Sequence, residues 1–292
     1  MRVAIVAAKL TSTNAALVET ASSGSVWEFL PPQCALARLE PGDVALGRID
    51  VRRTLDGVDD GLWALGELSA RGVTVLNGPP ALLAAHDKLL TARILHHGHL
   101  PHPATQIVYG DQPSVTLTPP LVLKPRFGSW GLGVTLCEDD DAVAAALDAA
   151  RDEPWYRAHG ALVQELVPPL GFDLRVVVAG DEIVGAISRV APAGEWRTNV
   201  ALGARREPVV PSPTVSALAL TAARTVGAAF VGVDLLPDGF GGWTILELNG
   251  AVEVTSEYSL GMKGDVFRDA CTALVRRAEK DRSTRQDVLR MA

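Results

Sequence analysis

The sequence is short of several things, and each shortage excludes something. Cysteine is scarce: Cys34, Cys137 and Cys271 are the only three in 292 residues, and no CxxC spacing joins them. That argues against a disulfide framework or a cysteine-rich zinc site and fits a reducing compartment. Positive charge is not in excess. Lys and Arg number 27 against 34 Asp and Glu, a net charge of -7. A chain built mainly to grip nucleic acid or anionic lipid is therefore not expected, although a local basic site is compatible with this balance. No uncharged apolar run reaches the roughly 18 residues of a spanning helix. The run Val3–Ala8 behind Arg2 is six residues long, shorter than the roughly 7–15 of a signal-peptide core. It reads as a buried strand. The expectation is a cytoplasmic protein without a membrane or nucleic-acid partner. There is also no internal repeat and no long low-complexity tract.

What is present is ordinary globular composition, 48% apolar and 21% charged. The length suits about two domains at roughly 150 residues each, or one large α/β unit. Val3–Ala8, Val44–Ile49 and Val73–Leu76 are continuous apolar runs, as expected of parallel strands covered on both faces. Leu62, Leu65 and Leu68 recur between the last two at helical spacing, with Gly72 as a stop. Residues 1–77 therefore read as an open α/β domain, closed by the turn Asn77-Gly78-Pro79-Pro80. A leucine-rich helical pattern follows and ends near Gly98. From Pro119 the texture changes to strands 121–124, 134–136 and 161–166, with a surface helix over 140–151. Two strands flank Gly180-Asp181, a short hairpin turn. A helix over 211–229, the strand pair 231–236 and 243–249, and a closing helix over 265–278 complete the pattern. Residues 279–292 read as a polar, frayed tail.

Three constellations carry chemistry. The first is a glycine-rich loop, Gly128-Ser129-Trp130-Gly131-Leu132-Gly133, after a strand ending in Lys124-Pro125. Glycines let backbone N–H groups approach phosphate oxygens and the lysine adds a point charge. No Gly-Lys-Ser/Thr follows and the next segment is strand-like, so it is neither a Walker A loop nor a dinucleotide fingerprint; a plain surface hairpin is the competing reading. The second lies at two strand ends, Asp234 on one and Glu247 with Asn249 on the next. Residues i and i+2 of a strand share a face, so Glu247 and Asn249 point together. With Asp234 they make a hard-oxygen set suited to Mg²⁺, unless they simply face water. The third is Arg175, Arg189 and Arg197, with Asn199 close behind. The planar guanidinium fork suits carboxylates and phosphates. A plain two-residue turn at Gly180-Asp181 places Arg175 and Arg189 on opposite faces, and a bulge brings them to one face.

The order of these pieces resembles the ATP-grasp superfamily, in particular its RimK-type and LysX-type carboxylate–amine ligases. The matching stretches are Asn77 to Asp87-Lys88, Leu121–Val134, Gln164–Gly203 and Gly232–Asn249, within roughly residues 75–275. The resemblance implies an ATP-grasp fold of three subdomains: the α/β domain 1–77, a central subdomain 78–160 with the glycine-rich lid, and a C-terminal subdomain 161–280 with the metal site, followed by a tail 281–292. It places Lys88 and Lys124 on the nucleotide phosphates and Gly128, Ser129, Trp130, Gly131 and Gly133 over them. It makes Gln164-Glu165-Leu166-Val167 the hinge whose backbone holds adenine and sets Asp173 near the ribose. Arg189, Arg197 and Asn199 fall at the transferred phosphate and the substrate carboxylate, and Arg175 is either a ligand contact or an ion-pair partner. Asp234, Glu247 and Asn249 become ligands of Mg²⁺, two ions by the resemblance, with Mn²⁺ an alternative.

The implied reaction joins a carboxylate to an amine through an acylphosphate, with ADP and phosphate released. An amino acid or small metabolite is the expected substrate. The alternatives are a carrier-protein or ribosomal-protein C-terminal glutamate, an enzyme that stops at phosphate transfer, or a non-catalytic ATP sensor. Related ligases are commonly dimers or tetramers, so a homo-oligomer is expected. The sequence departs from the family pattern at Gly250–Tyr258, near the acceptor site, and at Gly203-Ala204. The histidines His96, His97, His99 and His102 read as a solvated loop, because Gly98 interrupts the helix that would align a metal pair. Arg48 is a further candidate for reaching the substrate.

Overall fold

The computed structural model describes residues 1–21, 25–259, 261 and 264–291. The chain opens with β1 (Arg2–Val6), α1 (Ser12–Thr20), β2 (Val26–Leu30), α2 (Pro32–Arg38), β3 (Val44–Gly47), α3 (Leu62–Ala70) and β4 (Thr74–Leu76). The four strands form a parallel sheet in the order β2-β1-β3-β4. The unbroken apolar run in β1 has its reason here. Val3 and Ile5 pack with Leu17 of α1, while Ala4 and Val6 pack with Ala35 of α2 and with Leu65 and Leu68 of α3. With both faces covered, the four positions after the half-exposed Arg2 are all apolar.

Two helices lead onward, α4 (Pro79–His86) and α5 (Lys88–His97). The single leucine-rich helix expected from the sequence is broken at Asp87. Its carboxylate accepts the Leu89 and Leu90 N–H groups at 3.1 and 3.3 Å, capping a new helix that starts on Lys88. The second sheet contains β5 (Thr105–Val108), β6 (Leu121–Pro125), β7 (Thr135–Cys137) and β8 (Ala161–Glu165), antiparallel in the order β5-β8-β6-β7. Helices α6 (Asp140–Ala150) and α7 (Pro154–His159) cover it. Because β8 pairs here, residues 161–165 group with the central sheet, and a boundary at 160 cuts through it.

The third sheet is antiparallel throughout: β9 (Phe172–Ala179), β10 (Glu182–Val190), β11 (Arg205–Pro208), β12 (Phe230–Pro237) and β13 (Trp243–Asn249), in the order β11-β10-β9-β12-β13. Helix α8 (Pro213–Thr225) packs on one face. Helix α9 (Val266–Met291) packs between this sheet and the first one. It runs on through the expected tail, held by the i,i+4 pair Arg277–Asp281 at 3.0 Å and by Lys280 on Asp181 at 3.1 Å.

A bulge decides the parity question. Ala179 pairs with Glu182, but the register shifts between Ile183 and Gly185, after which Ile187 faces Arg175 and Arg189 faces Asp173. Directly paired residues share a face. Arg175 also faces Asp234, and Asp234 faces Glu247. One irregular residue therefore lines up the charged residues of four strands on one side of the sheet.

Candidate functional site

Between the second and third sheets lies a cleft with about 870 Å³ of free space, counting solvent at its mouth. One part of it is apolar, lined by Val122, Val134, Leu236 and Leu246, and Glu165, Leu166 and Val167 also line the cleft. Its other end carries Lys88, Lys124, Ser129, Arg197, Asn199 and Glu247. A flat base and a polyanion match these two ends in turn.

Each cation is held by a neighbour. Lys124 is buried and donates to Gln164 Oε1 at 2.6 Å. Gln164 in turn donates to Thr105 Oγ1 at 2.8 Å and lies 3.3 Å from His102 Nε2, whose other ring nitrogen meets the Ile245 carbonyl at 2.8 Å. Burial pulls the Lys124 ammonium down to about 8, with Glu247 opposing that shift and Lys88 adding to it. Burial likewise holds His102 neutral, at about 4. Lys88 Nζ donates to the Gly128 carbonyl and stands 3.5 Å from Glu247 Oε2. Arg197 forks onto Glu195 at 3.0 and 2.8 Å, and its remaining amine reaches the Gly131 carbonyl at 3.3 Å. The hydrogen bonds from Arg197 hold the Glu195 carboxyl down at about 2.

The glycine-rich loop is drawn in by these contacts. A Cβ on Gly131, whose φ is +73°, would stand 2.9 Å from Asn199 Oδ1 and 3.0 Å from Leu202 Cδ1, so this position is closed to a side chain. The Ser129 hydroxyl is buried with no partner. Trp130 sits at φ +60° with the Arg53 guanidinium 5.1 Å from its ring.

Behind the phosphate end a second chamber opens, sharing Ser129, Asn199 and Glu247 with the cleft. The aligned charges of the third sheet form one wall. Arg175 forks onto Asp234 at 2.7 and 2.6 Å, and Arg189 also reaches Asp234 at 2.8 Å. Burial would raise the Asp234 carboxyl, but Arg175 and Arg189 outweigh it and hold it at about 2. Asn249 Nδ2 lies 3.5 Å from the same carboxylate.

Several expectations change. Asp173 is fully buried, bonded by Arg189 at 2.7 Å and by the Thr198 hydroxyl at 2.6 Å, so its carboxylate is spent inside the protein and does not face a ribose. Gln164 turns its side chain inward to Lys124 because successive residues of β8 alternate faces. Trp130 lines the second chamber and is absent from the lining of the cleft. Arg175 is an ion-pair partner, and its partner is on the adjacent strand. Arg48 is buried, donating to Asn14 Oδ1 at 2.6 Å and to the Val252 carbonyl at 2.7 Å, and it braces the segment after β13 without entering the chamber. His96, His97 and His99 are exposed, whereas His102 is half-buried in the Lys124 chain. No cluster of three or more His, Cys, Asp or Glu residues suited to a metal occurs among the described residues. Asp50, His86 and Glu253, which the sequence reading did not single out, also line the second chamber.

The donor set fits the groups that the motifs implied. A buried hydroxyl at Ser129 with no partner among the described residues and two lysines suit phosphate oxygens, and Glu247 and Asn249 offer hard oxygens for a divalent cation. Asp234, expected to join them, is buried with both oxygens held by Arg175 and Arg189 and lines neither cavity.

Known proteins resemble this chain in sequence and in fold. The profile of the RimK-like ATP-grasp domain matches residues 85–266, more than half of the chain. Alpha-aminoadipate–LysW ligase LysX of Saccharolobus solfataricus is 31% identical over 186 residues, 62% of this chain and 67% of that one. Ribosomal protein bS6–L-glutamate ligase of Shigella boydii is 35% identical over 182 residues, 60% of this chain and 59% of that one. The aligned region thus spans about three fifths to two thirds of these relatives' lengths. Among solved structures, a RimK domain ATP-grasp protein from Sphaerobacter thermophilus superposes with a TM-score of 0.66 at 22% identity, covering 94% of this chain and 100% of its own. That likeness concerns the fold.

Proposed function

The chain belongs to the RimK-like ATP-grasp family, and on that premise we propose that it is an ATP-dependent ligase joining a carboxylate to an amine through an acylphosphate. The observation that carries the reading is the meeting of two cavities at Ser129, Asn199 and Glu247. One suits a nucleotide and the other a second reactant, and they touch where a γ-phosphate would lie.

In this reading Val122, Val134, Leu236 and Leu246 enclose adenine and the 165–167 backbone reads its edge. Lys88 and Lys124 offset phosphate charge. Gly128–Gly133 covers the phosphates and keeps water from the reactive anhydride. Glu247 and Asn249 would hold Mg²⁺, which supplies charge neutralisation at the phosphates. The carboxylate oxygen attacks the γ-phosphorus and ADP leaves; the amine nitrogen then attacks the acyl carbon, phosphate leaves, and the nitrogen loses its proton. Arg197 stands over the cleft, placed to stabilise the transferred charge, whereas Arg189 is taken up by Asp173 and Asp234 and fixes the chamber wall. Asp173 and Gln164 act as positioning residues, for Arg189 and Lys124 respectively.

An amino acid or small metabolite is the proposed acceptor. The second reading, a protein terminus, is favoured by the printed activities of the relatives on LysW and bS6. ADP release with Mg·ATP, tested across a panel of carboxylic acids with hydroxylamine as the amine, separates these readings. A hydroxamate from one acid supports small-molecule chemistry. Silence across the panel in protein that binds ATP favours the protein terminus. Unchanged turnover in Glu247→Ala would remove the metal assignment.

A further inference from the structure

The second chamber has a wall whose chemistry acylphosphate formation leaves unused. Asp50, in the loop after β3, lines it. One of its oxygens accepts the Val51 N–H at 2.7 Å, and no salt bridge joins it to a cation among the described residues. Beside it is His86, the last residue of α4. Burial, reinforced by Lys88, keeps this imidazole neutral, at about 4, and its ring is hydrogen-bonded to the Ile49 backbone. Nε2 is buried and has no partner among the described residues. A neutral ring that donates from one nitrogen offers a bare lone pair at the other. Glu253 adds a half-exposed carboxylate, steadied by the Thr13 hydroxyl at 2.9 Å and by Arg48 at 3.4 Å.

The backbone is shaped around this wall. Gly250 follows directly on Asn249, and a Cβ there would stand 3.1 Å from His86 Nε2 and 2.9 Å from Leu82 Cδ2. A bare residue is what lets the end of β13 lie against the imidazole. The opposite side of the chamber is basic, but Arg175 and Arg189 are committed to Asp234. Among the described residues that line the chamber, Arg206 is the cation left over, with a 3.4 Å pair to the half-buried Glu257. The charge available to a ligand there is therefore one guanidinium facing the carboxylates of Asp50 and Glu253, with Glu247 at the mouth shared with the cleft, and a neutral acceptor.

We propose that this chamber is the acceptor subsite for an amino acid with a neutral or basic side chain, its ammonium or amine N–H groups held by Asp50 and His86 and its carboxylate by Arg206. This rests on the ligase reading. A dicarboxylic amino acid, the kind named in the relatives' activities, would bring its second carboxylate against Asp50 and Glu253, where like charges repel.

Isothermal titration of the full chain loaded with Mg·ADP tests the assignment, with L-alanine, L-lysine, L-glutamate and L-2-aminoadipate as probes. Alanine or lysine is expected to bind at least about tenfold more tightly than either dicarboxylic probe. Asp50→Asn and His86→Phe should each weaken that binding by about tenfold or more, the loss expected when a charged or buried hydrogen-bond partner goes. Unchanged Mg·ADP affinity in both variants shows that they are folded. The proposal is overturned if the dicarboxylic probes bind more tightly, if the variants bind alanine or lysine as the parent does, or if no amino acid binds to the loaded protein. Failure of Mg·ADP itself to bind would remove the ligase reading beneath it, and this outcome is seen before any amino acid is added.

Discussion

Lys124 and Gln164 share a buried hydrogen bond of 2.6 Å, and among the described residues no salt bridge ties the ammonium in it to a carboxylate. A neutral amide can orient this lysine without cancelling its charge, so the charge stays available to an incoming anion. Burial has brought the group down to about 8. A bound triphosphate favours the charged form and returns the value upward. Nucleotide binding should therefore take up a fraction of a proton between about pH 8 and 9, and affinity should fall as pH rises through that window. Titration calorimetry of ATP in buffers of different ionisation enthalpy measures the uptake. Lys124→Met should abolish it, and Gln164→Leu should weaken ATP binding by about tenfold.

Asp234 answers to two arginines at once. Its carboxyl lies near 2, below the ordinary value of about 4. The folded state therefore holds it more readily ionised than the unfolded chain does. The associated stability is present above about pH 4 and is lost as pH falls towards 2. Asp234→Asn leaves Arg175 and Arg189 buried without their shared counter-ion, a loss of about 3–5 kcal/mol. Urea unfolding at pH 7 should show that loss, and the variant's stability should fall less steeply between pH 4 and 2.

Gly131→Ala tests the covering loop. The added methyl would meet Asn199 and Leu202 in a backbone conformation that L-residues rarely adopt. The loop should no longer close. Nucleotide affinity should change little, whereas the ratio of ADP released to amide formed should rise above one as water reaches the acylphosphate. Parallel assays of ADP and product give that ratio.

Asn77 ties the first α/β unit to the third sheet. Its amide donates to the Phe230 carbonyl at 2.6 Å and accepts the Ala229 and Phe230 N–H groups at 2.7 and 3.1 Å, all buried. Asn77→Ala strands three backbone groups and also places alanine at φ +51°. Stability should fall by about 3 kcal/mol or more, as read from the midpoint of urea unfolding. Asn77→Asp, which keeps the acceptor, should lose less.

Much of this was legible in the sequence. The strand-end residues Asp234, Glu247 and Asn249, the lysine before the glycine loop and the buried run of β1 carry their chemistry in their spacing. Elements with little pattern escaped. β11 is Arg-Arg-Glu-Pro and wholly exposed, and β5 is half-buried up to its one buried residue, Val108, so neither alternates clearly. Side-chain direction was the larger gap. Whether Asp173 faces a ligand or Arg189 depends on a register shift beside Val184 that no residue type announces. Asn77 looked like a linker because its neighbours are Gly and Pro, and only the folded chain shows its amide capping a strand start. His86 was hidden in a leucine-rich helix, where a lone histidine gives no periodic signal.

The core shared by the two ends of the chain sets an order of events during synthesis. Val3 and Ile5 of β1 lie in one apolar cluster with Ala270, Leu274 and Ala278 of α9. The first sheet is made well before α9, and domains generally fold as they emerge. One face of this sheet nevertheless waits for a helix that begins 260 residues after β1 ends, Val266 against Val6. Until α9 arrives Val3 and Ile5 have the Leu17 side of their cover alone, and a nascent chain presents the rest of that patch to chaperones while everything between is synthesised.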